Sequence, residues 1–289
     1  MNYELSSIIF CESTMAIQNK NIAEIVLPLP IHKVLDYFVP EKLRSEIEIG
    51  QRVLIPLGKR NIIGYVVNFT EKTCQKELKN ILRVLDKQPL LGEELLKLTA
   101  WLADYYLCSW GEAIHTAVPF KLLGERANFK VSTVAPVESS FSSVPFIPTP
   151  EQEKGFQQIK TGLMGREGKI FLLHGVGGGG KTELYLRSIE HVLHNGRQVI
   201  FLVPEISLIE DNLRELQARF PKEEIIVFHS QMPDSRKYNS WLRINNGQAN
   251  IVIGTRSAIF APFKRLGLII VEDEEDMSYK QEQKPMYQV

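Results

Sequence analysis

Cysteine is scarce in this 289-residue chain: Cys11, Cys74 and Cys108 are widely separated and form no Cys-x-x-Cys pair. That spacing excludes a disulfide framework and supplies no ligands for a structural zinc, and it fits a reducing, cytoplasmic setting. Long apolar runs are also missing. None approaches the roughly 18 residues that a membrane span needs, so no membrane partner is expected. Net charge is zero, and residues 1–145 carry 16 basic and 16 acidic side chains, so neither half is biased. The basic footprint that nucleic-acid binding usually leaves is absent, and any such function must rest on motifs. The first 20 residues hold a short apolar patch and Glu4, where a secretory signal carries positive charge. Residues 1–20 therefore read as a disordered extension, with Met15 as a second candidate start. No internal repeat is visible.

What is present is ordinary globular composition, 44% hydrophobic and 24% charged, in a chain long enough for two domains. Residues 21–70 read as all-β. Strands are expected at Ile22–Pro28, Gln51–Pro56 and Asn61–Phe69, with Gly64 marking a bulge or a close backbone approach. Leu57-Gly58-Lys59-Arg60 is a turn bearing two cations. Prolines and glycines punctuate the stretch into a small barrel or sandwich. A helix follows at Leu91–Tyr106, where apolar residues recur near a 3.6 period. Residues 121–148, rich in Ser, Pro and Val, read as a linker with room for one strand.

From Pro150 the chain alternates helix and strand. Helices are expected at Glu151–Thr161, Thr182–His194, Ser207–Phe220 and Asp234–Asn245. Strands are expected at Lys169–His174, Gln198–Val203, Glu224–Phe228, Asn250–Gly254 and Gly267–Val271. Such alternation implies an α/β fold whose parallel sheet is covered on both faces.

Gly175-Val176-Gly177-Gly178-Gly179-Gly180-Lys181-Thr182 fits G-x-x-x-x-G-K-[ST], after an apolar run and at the start of a helix, which is the context the motif requires. Its backbone must approach a phosphate chain closely, so side chains there would clash. Gly175 and Gly180 shape the cradle, Lys181 reaches the β- and γ-phosphates of ATP, and Thr182 offers a hydroxyl to Mg²⁺. The expected strand Gly267–Val271 runs out into Glu272-Asp273-Glu274-Glu275-Asp276. Carboxylates at the C-terminal edge of such a sheet suit a Mg²⁺ and water-activation site, and a solvated acidic loop is the plainer alternative. Thr149-Pro150-Glu151-Gln152 lies about 23 residues before the P-loop. It reads as a helix start, with Gln152 also able to hydrogen-bond an adenine edge. Gly254-Thr255-Arg256-Ser257 suits contacts to a nucleic-acid backbone, or serves simply as a strand-end turn.

Together these segments resemble the primosomal protein N′ family, PriA-type superfamily 2 helicases that restart stalled replication forks. The resemblance is carried by Leu172–Leu186, Phe201–Leu208, His229–Ser230, Trp241, Ile251–Pro262 and Leu266–Gln281. In the first half it is carried by Val26–Pro30, Leu35–Pro40, Gly50–Pro56, Gly64–Val67, Trp101–Tyr106 and Gly111-Glu112. It implies a 3′-DNA-binding domain at 21–120, a linker at 121–148 with the family's winged helix reduced or absent, and a first RecA-like lobe at 149–289. In that family the first domain pockets the 3′ end of the leading strand at a fork. Asp36 and Tyr37 match the motif that holds the terminal nucleotide, by accepting from the 3′-OH and stacking a base. Arg52, Lys59, Arg60, Thr255 and Arg256 are the further DNA candidates. The resemblance also implies primosome proteins and single-stranded-DNA-binding protein as partners.

Three departures stand out. The family's acidic motif is Asp-Glu-Glu-His. Gapless alignment puts Glu272 at the metal-binding Asp and Asp273 at the catalytic Glu, whereas a one-residue slip with a bulge restores Asp273-Glu274-Glu275; both leave a carboxylate where the His belongs. The space before the helicase lobe is too short for a winged helix. The chain also ends inside the first lobe, without the second lobe, the arginine finger or the zinc-binding segment of full-length relatives. The expectation is the front part of an ATP-dependent 3′→5′ DNA helicase, weakly active at most by itself. Lys181, Glu272, Asp273 and Glu274 carry the catalysis; Thr182, Glu272 and Asp273 hold Mg²⁺. Two alternatives are a DNA- and nucleotide-binding fragment without helicase activity and a P-loop ATPase unrelated to DNA.

Overall fold

Alternating apolar residues between prolines and glycines build the first of two units, Met1–Leu27 with Lys33–Pro89. The structure, a computed structural model, describes residues 20–73, 77–118, 148–165, 167–176, 179–283 and 285–289. The expected N-terminal extension but for Lys20, nearly all of the expected linker, Cys11, Cys74, and Gly177 and Gly178 of the P-loop lie outside these residues.

In the first unit, β1 (Ile22–Val26), β2 (Leu35–Phe38), β3 (Arg52–Leu57), β4 (Arg60–Thr70) and β5 (Arg83–Val84) form one antiparallel sheet in the order β2-β1-β4-β3-β5. Between the two edge strands, Phe38 N–H donates to Lys79 O (2.9 Å) and Ile81 N–H to Phe38 O (3.0 Å), while Leu82 N–H donates to Leu54 O (2.9 Å). Residues 79–82 thus fasten β2 to the β3 side, and of the two shapes expected the sheet takes the barrel. Ala23, Ile25, Val53, Ile55 and Val66 fill it and are fully buried. Gly64 is the close approach: a Cβ there would lie 2.4 Å from Ile25 Cγ2, beside the bulge of β1 between Glu24 and Ile25. At the β3–β4 hairpin, Gly58 takes φ 59°, which leaves Lys59 and Arg60 exposed at the tip. β2 was not legible from its alternation, because four residues between proline-rich flanks give too little period.

The second unit is Pro28–His32 with Leu90–Val289. It begins with α1 (Glu93–Tyr105) packed on α2 (Trp110–Ala117), the latter opened by a Ser109–Glu112 capping box. Then come α3 (Pro150–Met164), α4 (Lys181–His194), β6 (Gln198–Leu202), α5 (Ile209–Arg219), β7 (Ile225–Phe228), α6 (Asp234–Asn245), β8 (Ile251–Gly254) and β9 (Leu266–Val271). The four strands are parallel, in the order β7-β8-β6-β9. Val199, Phe201, Ile251 and Ile253 pack with Ile189 and Val192 of α4 and Leu216 of α5. Ile200, Leu202 and Val252 point the other way and are also buried. Burial on both faces is why β6 and β8 are nearly unbroken runs of apolar residues, while β9 leaves Ile269 exposed. A short antiparallel pair, β10 (Lys280–Gln281) with β11 (Tyr287–Gln288), closes the chain. The indole N–H of the fully buried Trp241 on α6 donates to Leu90 O at 2.9 Å, tying α6 to the start of the helical pair.

One expected strand is corrected. Lys169–His174 pairs with no strand, and Ile170 and Leu172 stand 101% and 69% exposed. An apolar run becomes a strand only where a neighbour takes up its backbone hydrogen bonds, and among the described residues none does so. The sheet stops at β9.

Candidate functional site: a P-loop and an acidic strand end

Helix α4 starts at Lys181 because Gly180 adopts φ 80°, a left-handed conformation that glycine enters without a Cβ penalty. No side chain caps that end, so the first N–H groups of α4 point out of the helix uncapped. Such an end, with its partial positive charge, is suited to a phosphate. The Lys181 ammonium rests 3.5 Å from Gly175 O, a long contact that a phosphate oxygen would outbid. Thr182 is the next residue and half-buried.

Helix α3 holds the loop from the other side. Thr149 Oγ1 accepts from Gln152 N–H (3.3 Å), and Gln152 Oε1 accepts from Thr149 N–H (2.8 Å), a complete capping box. The remaining Gln152 amide N–H donates to Gly179 O at 3.0 Å. Gln152 therefore braces the loop in this structure, with one amide N–H and one carbonyl lone pair not used by these bonds. Its position is in turn set by α4: Arg187 donates to Glu153 Oε2 (2.8 Å), with its guanidinium 4.1 Å from the Phe156 ring centroid.

At the end of β9 the ladder with β6 runs without irregularity from Leu268 to Val271, and Glu272 N–H continues it to Leu202 O at 3.0 Å. The strand's one register shift lies upstream, at Gly267, where Leu266 and Leu268 face consecutive residues of β6. Glu272 is half-buried. Its Oε2 accepts from Asn212 Nδ2 of α5 at 3.2 Å, and its carbonyl accepts from the hydroxyl of the buried Tyr279 at 2.7 Å. Burial first, and then the neighbouring Asp273, push the Glu272 carboxyl above the usual range; Asn212 and the nearby Lys181 ammonium draw it back. Asp273 takes φ 50°, unusual for a residue with a Cβ, and is exposed, as are Glu274 and Glu275.

The donors at this edge are oxygen: the Thr182 hydroxyl and the Glu272 and Asp273 carboxylates. Oxygen donors suit Mg²⁺, which is commonly held by one or two carboxylates plus substrate phosphates, and a cation would relieve the crowding between Glu272 and Asp273. Among the described residues there is no cluster of three or more His, Cys, Asp or Glu placed to cage a metal without such help.

The side chains expected to meet DNA divide sharply. Arg52 is corrected. Its guanidinium is 9% exposed and grips Asp86, with Nη2 2.5 Å from Oδ1 and Nε 3.0 Å from Oδ2, while its backbone N–H also donates to Asp86 Oδ2 at 2.8 Å. Tyr37 is 5% exposed and donates to Pro56 O at 3.1 Å; its ring is core, not a free stacking face. Burial raises the phenol's pKa. Asp36, on the other face of β2, accepts from Thr73 Oγ1 at 2.5 Å and lies across from Glu24 of β1. Lys59 and Arg60 stay exposed. Thr255 is half-buried at the end of β8, and Arg256 is spent on the C-terminal segment, donating to Ser278 O (3.0 Å), Lys280 O (2.6 Å) and Gln281 Oε1 (3.2 Å). Asp86, Thr73 and Asn212 were not singled out by the sequence, since each acts through a partner far along the chain.

Two families match. Residues 24–119 match the 3′ DNA-binding domain (3′BD) of PriA, and residues 149–289 match the DEAD/DEAH box helicase family. Among curated proteins, the chain is 36% identical to the replication restart protein PriA of Treponema pallidum over 270 residues, covering 91% of this chain and 40% of that protein. Against the Haemophilus influenzae and Bacillus subtilis proteins of the same name, identity is 30% and 34%, over 90% of this chain and 45% and 33% of theirs. The chain thus spans less than half the length of these relatives.

Proposed function

The chain belongs to the PriA family of replication restart helicases, and on that premise we propose that it is the DNA-end-binding and ATP-binding part of a fork-restarting 3′→5′ helicase. The observation that carries the nucleotide half is the pairing, at one sheet edge, of an uncapped helix N-terminus bearing Lys181 with the half-buried Glu272. In this reading the α4 N–H groups and Lys181 bind the phosphates of ATP and offset the charge that builds up as the γ-phosphoryl leaves. Thr182 and Glu272 hold Mg²⁺, whose charge further neutralises the phosphates. Glu272 rather than Asp273 is assigned to it, because Glu272 is half-buried and senses the Lys181 ammonium, whereas Asp273 is exposed. Asp273, next along, orients the attacking water, and Glu274 supports the same acidic edge.

The DNA half rests on family membership and on surface. Asp36 receives the free 3′-OH. Lys59, Arg60 and the half-buried Thr255 face backbone phosphates, while Tyr37 and Arg52 hold the barrel that presents Asp36. Primosome proteins and single-stranded-DNA-binding protein are the partners of the complete assembly.

The test is ATP turnover by the 289-residue chain with forks whose leading-strand 3′ end is free or blocked. The proposal expects tighter binding and greater turnover with the free end, and loss of that preference in Asp36→Ala. Fork binding that distinguishes the ends without any stimulated turnover would identify a DNA- and nucleotide-binding fragment. Indifference of every activity to Asp36→Ala would rule out the end-binding role.

A further inference from the structure

We propose that Asn212 is a positioning residue for the nucleotide site, its side-chain amide fixing the carboxylate of Glu272. This rests on the assignment of Glu272 as the carboxylate on the metal side. A glutamate has one more methylene than an aspartate, so its carboxylate has one more torsion to settle before it can meet a ligand. The structure supplies the restraint. Asn212 Nδ2 donates to Leu208 O, at the N-cap of its own helix, at 3.1 Å, and to Glu272 Oε2 at 3.2 Å.

Both partners are acceptors, so the NH₂ end of the amide must face them; the reverse orientation would set three oxygens against one another. The Leu208 carbonyl thus holds the amide in place, and the amide holds the carboxylate. The main chain of Glu272 is clamped too, through Leu202 O and the Tyr279 hydroxyl. Asn212 has the right chemistry for the task. A neutral amide orients the carboxylate without cancelling its charge, where a cation would compete with a metal and a second carboxylate would repel Glu272. Asp273, exposed and with φ 50°, shares none of these restraints.

The test titrates Mg²⁺ against binding of a fluorescent, non-hydrolysable ATP analogue to the full chain, in a double-mutant cycle. Alanine is the best helix former, so Asn212→Ala should leave α5 intact. It should raise the Mg²⁺ concentration at half-saturation about ten-fold, the usual scale for losing an outer-sphere partner, with the Mg²⁺-free affinity of the analogue unchanged. Glu272→Asp shortens the side chain beyond reach of the amide, and in that background Asn212→Ala should have no effect. An equal shift in both backgrounds, or one of the same size without Mg²⁺, would overturn the positioning role. Should Glu272→Ala leave the Mg²⁺ midpoint where it was, the metal assignment itself is wrong, and the role of Asn212 falls with it.

Discussion

The two units treat their charged side chains in opposite ways. In the β-barrel unit, Arg52 looks from the sequence like a ligand for DNA, yet its guanidinium is buried against Asp86 and holds β3 to the turn after β5. In the α/β unit, Lys181 makes a single long contact to a carbonyl among the described residues, and the helix end beneath it has no side-chain cap among them. One cation is spent on the fold and the other is held in reserve. Both are cations at the first residue of an element, Arg52 at the start of β3 and Lys181 at the start of α4. What separates them is whether a partner of opposite charge is in direct contact, as Asp86 is with Arg52, and that is a property of packing.

The contrast can be broken most forcefully at Arg52. Arg52→Ala strands Asp86 in the interior, and loss of one partner of a buried pair costs about 3–5 kcal/mol. Urea unfolding should show the barrel destabilised on that scale while the nucleotide affinity of the other unit holds. Lys181→Ala should do the reverse. Unfolding should be unchanged, while ATP-analogue affinity falls by about 1.5–3 kcal/mol, or roughly ten- to hundred-fold, the worth of a hydrogen bond to a charged group. If Lys181→Ala destabilises as Arg52→Ala does, the distinction fails. The exposed pair at the hairpin tip tests the barrel's surface. Lys59→Ala with Arg60→Ala should lower the slope of log affinity for DNA against log salt by about 2 and leave stability within about 0.5 kcal/mol.

The smallest effect concerns Glu272. Its carboxyl is raised by burial and by Asp273, so the folded chain holds that proton more tightly than the unfolded chain. Its contribution to stability is complete at pH values below the ordinary carboxylate range and is lost as the pH rises through the raised value. Glu272→Gln should therefore melt at or slightly above the wild type at neutral pH, by no more than about 0.5 kcal/mol because half of the group is open to solvent, and the gap should close on acidification. A melting curve at each pH would detect a gap that widens in acid, which would overturn the sign.

Much of this was legible beforehand. Residues 234–245 form the expected helix, and β6 to β9 fall within a residue or so of their expected places, because long runs with clear period are settled by their own burial. The helix start at Lys181 was legible because Gly180 and Lys181 are adjacent in the chain. The failures share a cause. The run at 169–174 looked like a strand by composition, but a strand is defined by its neighbour. Arg52 reads as a ligand for DNA because Asp86 lies 34 residues on, and Asn212 drew no reading because Glu272 lies 60 residues on. Where two side chains met through the fold, the sequence carried no sign of it.

The indole of Trp241 bears on how the gene can be divided. Its hydrogen-bond acceptor, Leu90 O, stands 151 positions earlier, within the stretch matched to the DNA-binding family. An expression clone begun at residue 149 to isolate the helicase lobe would lose this hydrogen bond between α6 and the start of the helical pair, and one ended at 119 would carry away the acceptor. The family boundary and the physical one differ by about 30 residues. A recombinant α/β unit that includes Leu90 and the helical pair should express as a better-folded protein than one trimmed to the boundary of sequence homology.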